Sequence, residues 1–139
     1  MARPTPPDPA TGDWMLNISK SNFALAPAPK NSVMTVEAWE DGLRVKTDTI
    51  DVQENKIHQE TAYKFDGRDY LLEGYRLADS ISAKRINLRA SESVWKKRGK
   101  VIFTVRAVVS IDGKTLSLTR TGIDAQGRAV DEVLIYERQ

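Results

Sequence analysis

The sequence predicts an all-β fold: an up-and-down antiparallel barrel of roughly eight to ten strands after a short irregular N-terminal segment. Three observations favour it. All 6 prolines lie before residue 30, so no proline interrupts a sheet over the rest of the 139 residues. Asp-Gly pairs, the strongest short hairpin signal, occur at residues 41–42, 66–67 and 112–113. The segments between turns alternate apolar and polar side chains, and none of useful length keeps apolar residues at helical spacing.

The chain begins with a proline-rich stretch. We expect residues 1–11 to form an extended or disordered tail, and residues 12–139 to form a single barrel domain. Residues 24–30 carry two further prolines and predict a long connection after the first strand. The remaining strands follow one another as a meander. Closing into a barrel removes the exposed edges of such a meander, and a β-sandwich is the alternative.

The Asp-Gly turns also predict which residues face each other across each hairpin, because a two-residue loop fixes the register. The predicted pairs are Val109–Leu116, Ala107–Leu118 and Val105–Arg120 at the last turn, Tyr63–Tyr70 and Thr61–Leu72 at the middle turn, and Ala38–Val45 and Val36–Thr47 at the first. Most of these residues are apolar, so we assign this face of each strand to the barrel interior.

The composition excludes several kinds of chemistry. The chain has no Cys and 1 His, which excludes disulfides, a thiolate nucleophile, a Cys-rich zinc site and a His-pair metal site. A net charge of +2 does not favour nucleic acid or an anionic membrane. We therefore expect no metal, no cofactor, no nucleic-acid partner and no membrane. The chain as written begins without an apolar segment, so we expect a cytoplasmic protein, or a periplasmic or secreted one if a signal peptide was removed.

Polar side chains occur on the face assigned to the interior, where a simple core would be apolar. A ligand cavity is lined in this way, mostly by apolar groups with a few polar anchors. The expected ligand-binding residues are Tyr63, Tyr70, Arg85, Ser91, Ser93, Trp95, Arg120 and Tyr136. The register of residues 88–95 stays open, because a shift by one residue would turn Leu88, Ala90 and Val94 inward and expose the serines.

Arg120 follows two leucines on the inward face. Across the next hairpin it faces Glu132 if the turn contains a G1 bulge, or Asp131 if it does not. A buried Arg needs such a partner. The pair is either a structural ion pair at the barrel mouth or an anchor for an anionic ligand or a catalytic charge.

His58 is the residue whose ordinary pKa suits acid–base chemistry at neutral pH. In the assigned register it faces outward, next to Glu60, as a surface histidine would. For a catalytic function the candidates are Arg120, Asp131, Glu132, His58 and Glu60. They would support cofactor-free proton transfer, such as isomerisation, cyclisation, elimination or hydrolysis.

Gly12-Asp13-Trp14 opens the first predicted strand, and further distinctive stretches lie at residues 63–70, 78–86, 112–118, 121–127 and 133–137. The first is similar to the Gly-x-Trp motif that opens the first lipocalin strand. Together the stretches resemble a group of small bacterial lipocalin-like proteins of poorly defined function. This resemblance implies a calycin-type barrel with a ligand cavity, and it implies that Trp14 contacts a basic residue late in the chain, for which Arg138 is the candidate.

Three functions follow as expectations. The first is binding of a small amphipathic or aromatic molecule in the barrel cavity. The alternative is a cofactor-free enzyme on the same barrel. A third is an interaction module without a cavity, for which Trp39 and Trp95 would have to be exposed together. The expected partner is a small-molecule ligand or substrate, and a homodimer stays open.

Overall fold

The computed structural model describes residues 8–25, 27–123 and 126–139, and it confirms the all-β prediction. Ten antiparallel strands form a closed barrel in which β1 pairs with β10 and every other strand pairs with its neighbours in sequence. The strands are β1 (Gly12–Leu16), β2 (Asn31–Trp39), β3 (Gly42–Ile50), β4 (Lys56–Tyr63), β5 (Tyr70–Glu73), β6 (Ser80–Asn87), β7 (Ala90–Lys97), β8 (Lys100–Val109), β9 (Thr115–Ile123) and β10 (Ala129–Arg138). A short 3₁₀ turn, Ile18–Lys20, follows β1. Across the described residues, no helix is long and apolar enough to cross a membrane.

The hairpin between β8 and β9 has the predicted register. Val109 faces Leu116, Ala107 faces Leu118, and Val105 faces Arg120. Because Val109, Leu116 and Val105 are all buried, this face of both strands is the barrel interior. Arg120 therefore lies on the inward face.

The register predicted for the β2–β3 hairpin is wrong by two residues. Ala38 faces Leu43 and Val36 faces Val45, so the loop is Glu40-Asp41, and Glu40 adopts a positive φ of 49°. Gly42 belongs to β3, where a Cβ atom would lie 1.8 Å from the carbonyl oxygen of Tyr63. The glycine is needed for this close approach of β4. A shift of two residues preserves the faces, so the inward set is unchanged.

The hairpin after β4 is only partly as predicted. Thr61 faces Leu72, but the predicted Tyr63–Tyr70 pair is absent from the described sheet, where Tyr70 faces Ile81. Residues 64–69 instead leave the sheet and fold over β6, where the Gly67 amide donates to the carbonyl of Ala83 at 3.0 Å. Because this loop is wider than predicted, β5 has only two residue pairs with β4 and two with β6. Strand β5 is therefore the most weakly paired of the described strands.

Trp14 is fully buried in the apolar core, and the Arg138 guanidinium carbon lies 4.3 Å from the centroid of its ring. This contact confirms the expectation drawn from the resemblance. The indole N–H donates to the carbonyl of Ala10 at 2.9 Å, which meets the need of a buried indole for an acceptor. Residues 8–11 are therefore a packed turn where a loose tail was expected, while residues 1–7 of that prediction lie outside the described residues.

Candidate functional site

Strand β7 places its two serines and its tryptophan on the inward face. Ser93 faces Ala83 on one side and Val105 on the other, and both of these neighbours are buried in the interior. This pairing confirms the register with Ser91, Ser93 and Trp95 inward and excludes the shifted one.

Many inward-facing side chains keep partial access to solvent. Besides the three residues of β7, they include Thr47, Gln59, Ala107 and Leu118. An inward side chain that stays accessible borders space that a water molecule can enter, because a close-packed core leaves none. These positions give the inward face hydroxyl and amide groups that keep residual access to solvent.

An ion pair joins β9 and β10 within this interior. Arg120 faces Glu132, and the distance between Arg120 Nη2 and Glu132 Oε1 is 2.8 Å. The Glu132 side chain is 0% exposed and that of Arg120 is 19% exposed. Asp131, the alternative partner, lies on the outer face and accepts a hydrogen bond from the Thr121 hydroxyl at 2.8 Å. Gly127 has the positive φ of 79° expected in a G1 bulge, although two residues of that turn, 124 and 125, lie outside the described residues.

Glu132 also holds the connection between β1 and β2 against the barrel. Its Oε2 accepts the backbone N–H groups of Ala24 at 3.1 Å and Leu25 at 3.0 Å. We call residues 22–25 the covering segment. A Cβ atom added at Gly122 would lie only 3.3 and 3.4 Å from the two methyl carbons of Leu25. The absence of a side chain at Gly122 thus lets the covering segment close over the pair.

Tyr75 completes the cluster, and sequence reasoning missed it. Its hydroxyl lies 3.5 Å from Arg120 Nη1, and its ring meets Trp95 and Phe103 edge-on at centroid distances of 5.7 and 6.4 Å. Burial raises the pKa of the Tyr75 hydroxyl above its ordinary value of 10.0. Tyr75 lies in the irregular stretch between β5 and β6, where strand alternation gives no orientation. The sequence feature that could have indicated a close approach here is the preceding Gly74. A Cβ at this position would lie 1.8 Å from the carbonyl oxygen of His58.

A row of three neighbouring hydroxyl groups runs from β10 through β2 to β3. The Tyr136 hydroxyl lies 3.2 Å from Ser32 Oγ, which lies 3.0 Å from Thr49 Oγ1. Burial is the main cause that raises the pKa of Tyr136. Tyr63 packs edge-on against Phe65, and burial raises its pKa to about 12. Both tyrosines therefore remain protonated at neutral pH and act as hydrogen-bonding or apolar groups.

Two predicted ligand-binding residues have other partners. Arg85 stacks on the ring of Phe65, with 3.9 Å between the guanidinium carbon and the ring centroid, and forms an ion pair with Asp8. Tyr70 donates its hydroxyl proton to Asp66 Oδ2 at 2.6 Å, which raises the pKa of Tyr70. Among the described residues, neither Arg85 nor Tyr70 forms a hydrogen bond or ion pair with Arg120.

His58 lies on the outer face of the barrel, as its predicted register requires. Its Nδ1 is 2.6 Å from Asp48 Oδ1 and its Nε2 is 3.4 Å from Glu60 Oε2. Hydrogen bonding to Asp48, and then to Glu60, raises the pKa of His58 above 6.5. All three side chains are exposed, so they form a surface cluster on the opposite face of the wall from Arg120.

Two open clefts lie on the outside of the wall. One, of about 510 Å³, is bordered by Gly67, Lys84 and Glu92, and the other, of about 410 Å³, by Arg44, Glu60 and Glu73.

Within the part of the chain that the structure describes, no group of three His, Asp or Glu side chains could hold a metal ion. Comparison with protein-family models gives no match, and comparison with curated proteins gives none either.

Proposed function

We propose that this protein binds a small amphipathic or aromatic molecule inside the barrel, as the resemblance to small bacterial lipocalin-like proteins implies. The observation that carries the proposal is the partly accessible Arg120, which lies in the interior beside the aromatic rings of Tyr75, Trp95 and Phe103. Ligand cavities combine apolar walls with a few such polar anchors.

The cluster supplies two contributions that binding needs. The Trp95 ring, whose centroid lies 5.1 Å from that of the buried Phe103 ring, offers apolar surface against which a ligand ring loses contact with water. Arg120 and the Tyr75 hydroxyl offer hydrogen bonds that fix the orientation of the ligand. The interaction module gains no support from Trp95, because its ring packs in the interior and its indole N–H donates to Ser93 Oγ at 3.0 Å.

Nile red, a neutral aromatic dye, tests the proposal. We expect a saturable rise in its fluorescence with the intact protein. Ser93→Leu, which fills the interior next to Trp95, is expected to weaken binding at least about tenfold, since the added side chain occupies the ligand's space. Ser117→Leu is the matched control, because Ser117 faces outward opposite Val108 and Ile135, and it should leave binding unchanged.

Circular dichroism establishes that both variants keep the β-sheet spectrum. Non-saturable fluorescence with the intact protein, or an equal loss of binding in the two folded variants, would refute interior binding.

A cofactor-free enzyme is the second candidate, favoured by the contact between the Arg120 guanidinium and the Tyr75 hydroxyl. Two such donors can polarise a carbonyl and stabilise the enolate formed when hydroxide from the solvent takes a proton from the adjacent carbon, and D₂O then returns a deuteron to that carbon. The test is exchange of the methyl protons of acetylnaphthalene for deuterium in D₂O. An enzyme would accelerate this exchange, Tyr75→Phe would lose the acceleration, and Tyr70→Phe would keep it. Exchange at the buffer rate would leave binding as the function.

A further inference from the structure

The donors of Arg120 are not all used. Its Nη2 contacts Glu132 and its Nη1 contacts the Tyr75 hydroxyl at 3.5 Å. The Nε atom is fully buried on the guanidinium edge that faces Glu132, whose Oε1 likewise has no hydrogen bond of good geometry, so neither atom is open to a ligand. Nη1 carries a second N–H, and no contact among the described residues takes it.

Tyr75 has a free donor in the same place. Its hydroxyl oxygen is positioned to accept from Arg120, and no contact among the described residues takes the hydroxyl proton. Of the other polar groups nearby, the indole N–H of Trp95 donates to Ser93 and the Oε2 of Glu132 accepts two backbone N–H groups. The interior therefore presents two unused donors beside the aromatic rings.

The charge balance decides which acceptor fits. The positive charge of Arg120 is already matched by Glu132, whose side chain is 0% exposed. A carboxylate bound to the same donors would add a second negative charge within this largely desolvated region, which is costly without another cation. A carbonyl oxygen accepts two hydrogen bonds without adding charge.

We infer that the ligand carries a neutral carbonyl group, as an aromatic ketone, ester or amide does, and that Tyr75 and Arg120 orient it through that oxygen. This inference rests on the proposed function. The ring of the ligand lies against Trp95, and its carbonyl oxygen takes the second N–H of Arg120 Nη1 and the O–H of Tyr75, two donors whose heavy atoms are 3.5 Å apart.

Three probes that share one naphthalene ring test the inference by calorimetry: acetylnaphthalene, naphthoate and ethylnaphthalene, substituted at the same ring position. The ketone is expected to bind about tenfold more tightly than the hydrocarbon, the effect of two ordinary hydrogen bonds, and more tightly than the carboxylate. Tyr75→Phe should weaken ketone binding by about fivefold and leave the hydrocarbon unchanged. Tyr70→Phe is the matched control, since the Tyr70 hydroxyl is bound to Asp66.

The infrared carbonyl band of the bound ketone gives a second readout. It should move to lower frequency in the intact protein and in Tyr70→Phe, and less so in Tyr75→Phe, because a donated hydrogen bond weakens the C=O bond. Binding of naphthoate at least as tight as that of the ketone overturns the inference, as does a Tyr75→Phe variant with unchanged ketone affinity and band. Absence of binding by all three probes overturns the proposed function together with the inference.

Discussion

Replacing Glu132 by glutamine tests whether the ion pair inside the barrel acts as a pair of buried charges. The substitution keeps the shape of the side chain and an oxygen that can accept the backbone N–H groups of Ala24 and Leu25. It removes the negative charge 2.8 Å from Arg120 Nη2. Loss of one partner of a buried ion pair costs about 3–5 kcal/mol.

The expected cost for this pair is somewhat smaller. Because the Arg120 side chain is 19% exposed, part of its charge stays hydrated, and we expect a loss of about 2–3 kcal/mol in the free energy of unfolding. With a urea m-value of about 1.5 kcal/mol/M, the unfolding midpoint falls by about 1.3–2 M. Urea titration followed by circular dichroism measures this shift.

Two further variants decide the cause. Asp131→Asn removes an adjacent carboxylate on the outer face and should cost less than about 0.5 kcal/mol. The double replacement Arg120→Met with Glu132→Gln removes both charges, keeps an acceptor for Ala24 and Leu25, and should be more stable than Glu132→Gln alone, because no unpaired charge remains. A Glu132→Gln midpoint within the error of Asp131→Asn would show that the pair is solvated and would refute the reasoning.

The remaining predictions concern the surface histidine and a crowded glycine. In a ¹H NMR titration, His58 should titrate above pH 6.5, and Asp48→Asn should lower this midpoint. Since the pKa of His58 is raised in the folded state, the stabilisation from His58 is complete below pH 6.5 and is lost as the pH rises through the folded-state pKa. An NMR titration midpoint of His58 at or below 6.5 would contradict its hydrogen bond to Asp48. Gly42→Ala should cost more thermal stability than Gly113→Ala, because its Cβ meets the Tyr63 carbonyl at 1.8 Å, whereas a Cβ at Gly113 meets nothing within 4 Å and costs only the strain of a positive φ of 75°, about 1 kcal/mol. Equal losses in calorimetry would show that β4 moves away freely.

The hairpin around residues 112–113 shows how far local rules reach. Its Asp-Gly turn and alternating strands determine the pairing of Val105 with Arg120, and the structure has that pairing. At residues 41–42 the same rule fails, because the glycine serves contact with β4 and the turn forms at Glu40-Asp41. A sequence records that a glycine is present, but only the packed strands show which neighbour requires it.

For the candidate site, alternation along β9 determined the inward direction of Arg120, whereas the register of residues 88–95 stayed open until the pairing of Ser93 with Ala83 and Val105 decided it. Alternation left two partners for Arg120, because a one-residue bulge in the following turn decides between Glu132 and Asp131. It gave no indication of Tyr75, which lies in an irregular stretch where side-chain direction follows from the surrounding surfaces.

The sequence by itself determined the all-β class and the polar inward face and favoured a barrel over a sandwich, because turn chemistry and period-two alternation are local. Only the tertiary structure decided that Glu132 pairs with Arg120 while it holds the covering segment, and that Tyr75 meets them from a loop far along the chain. Contacts of this kind join residues distant in sequence, and their geometry depends on how ten strands close into one barrel.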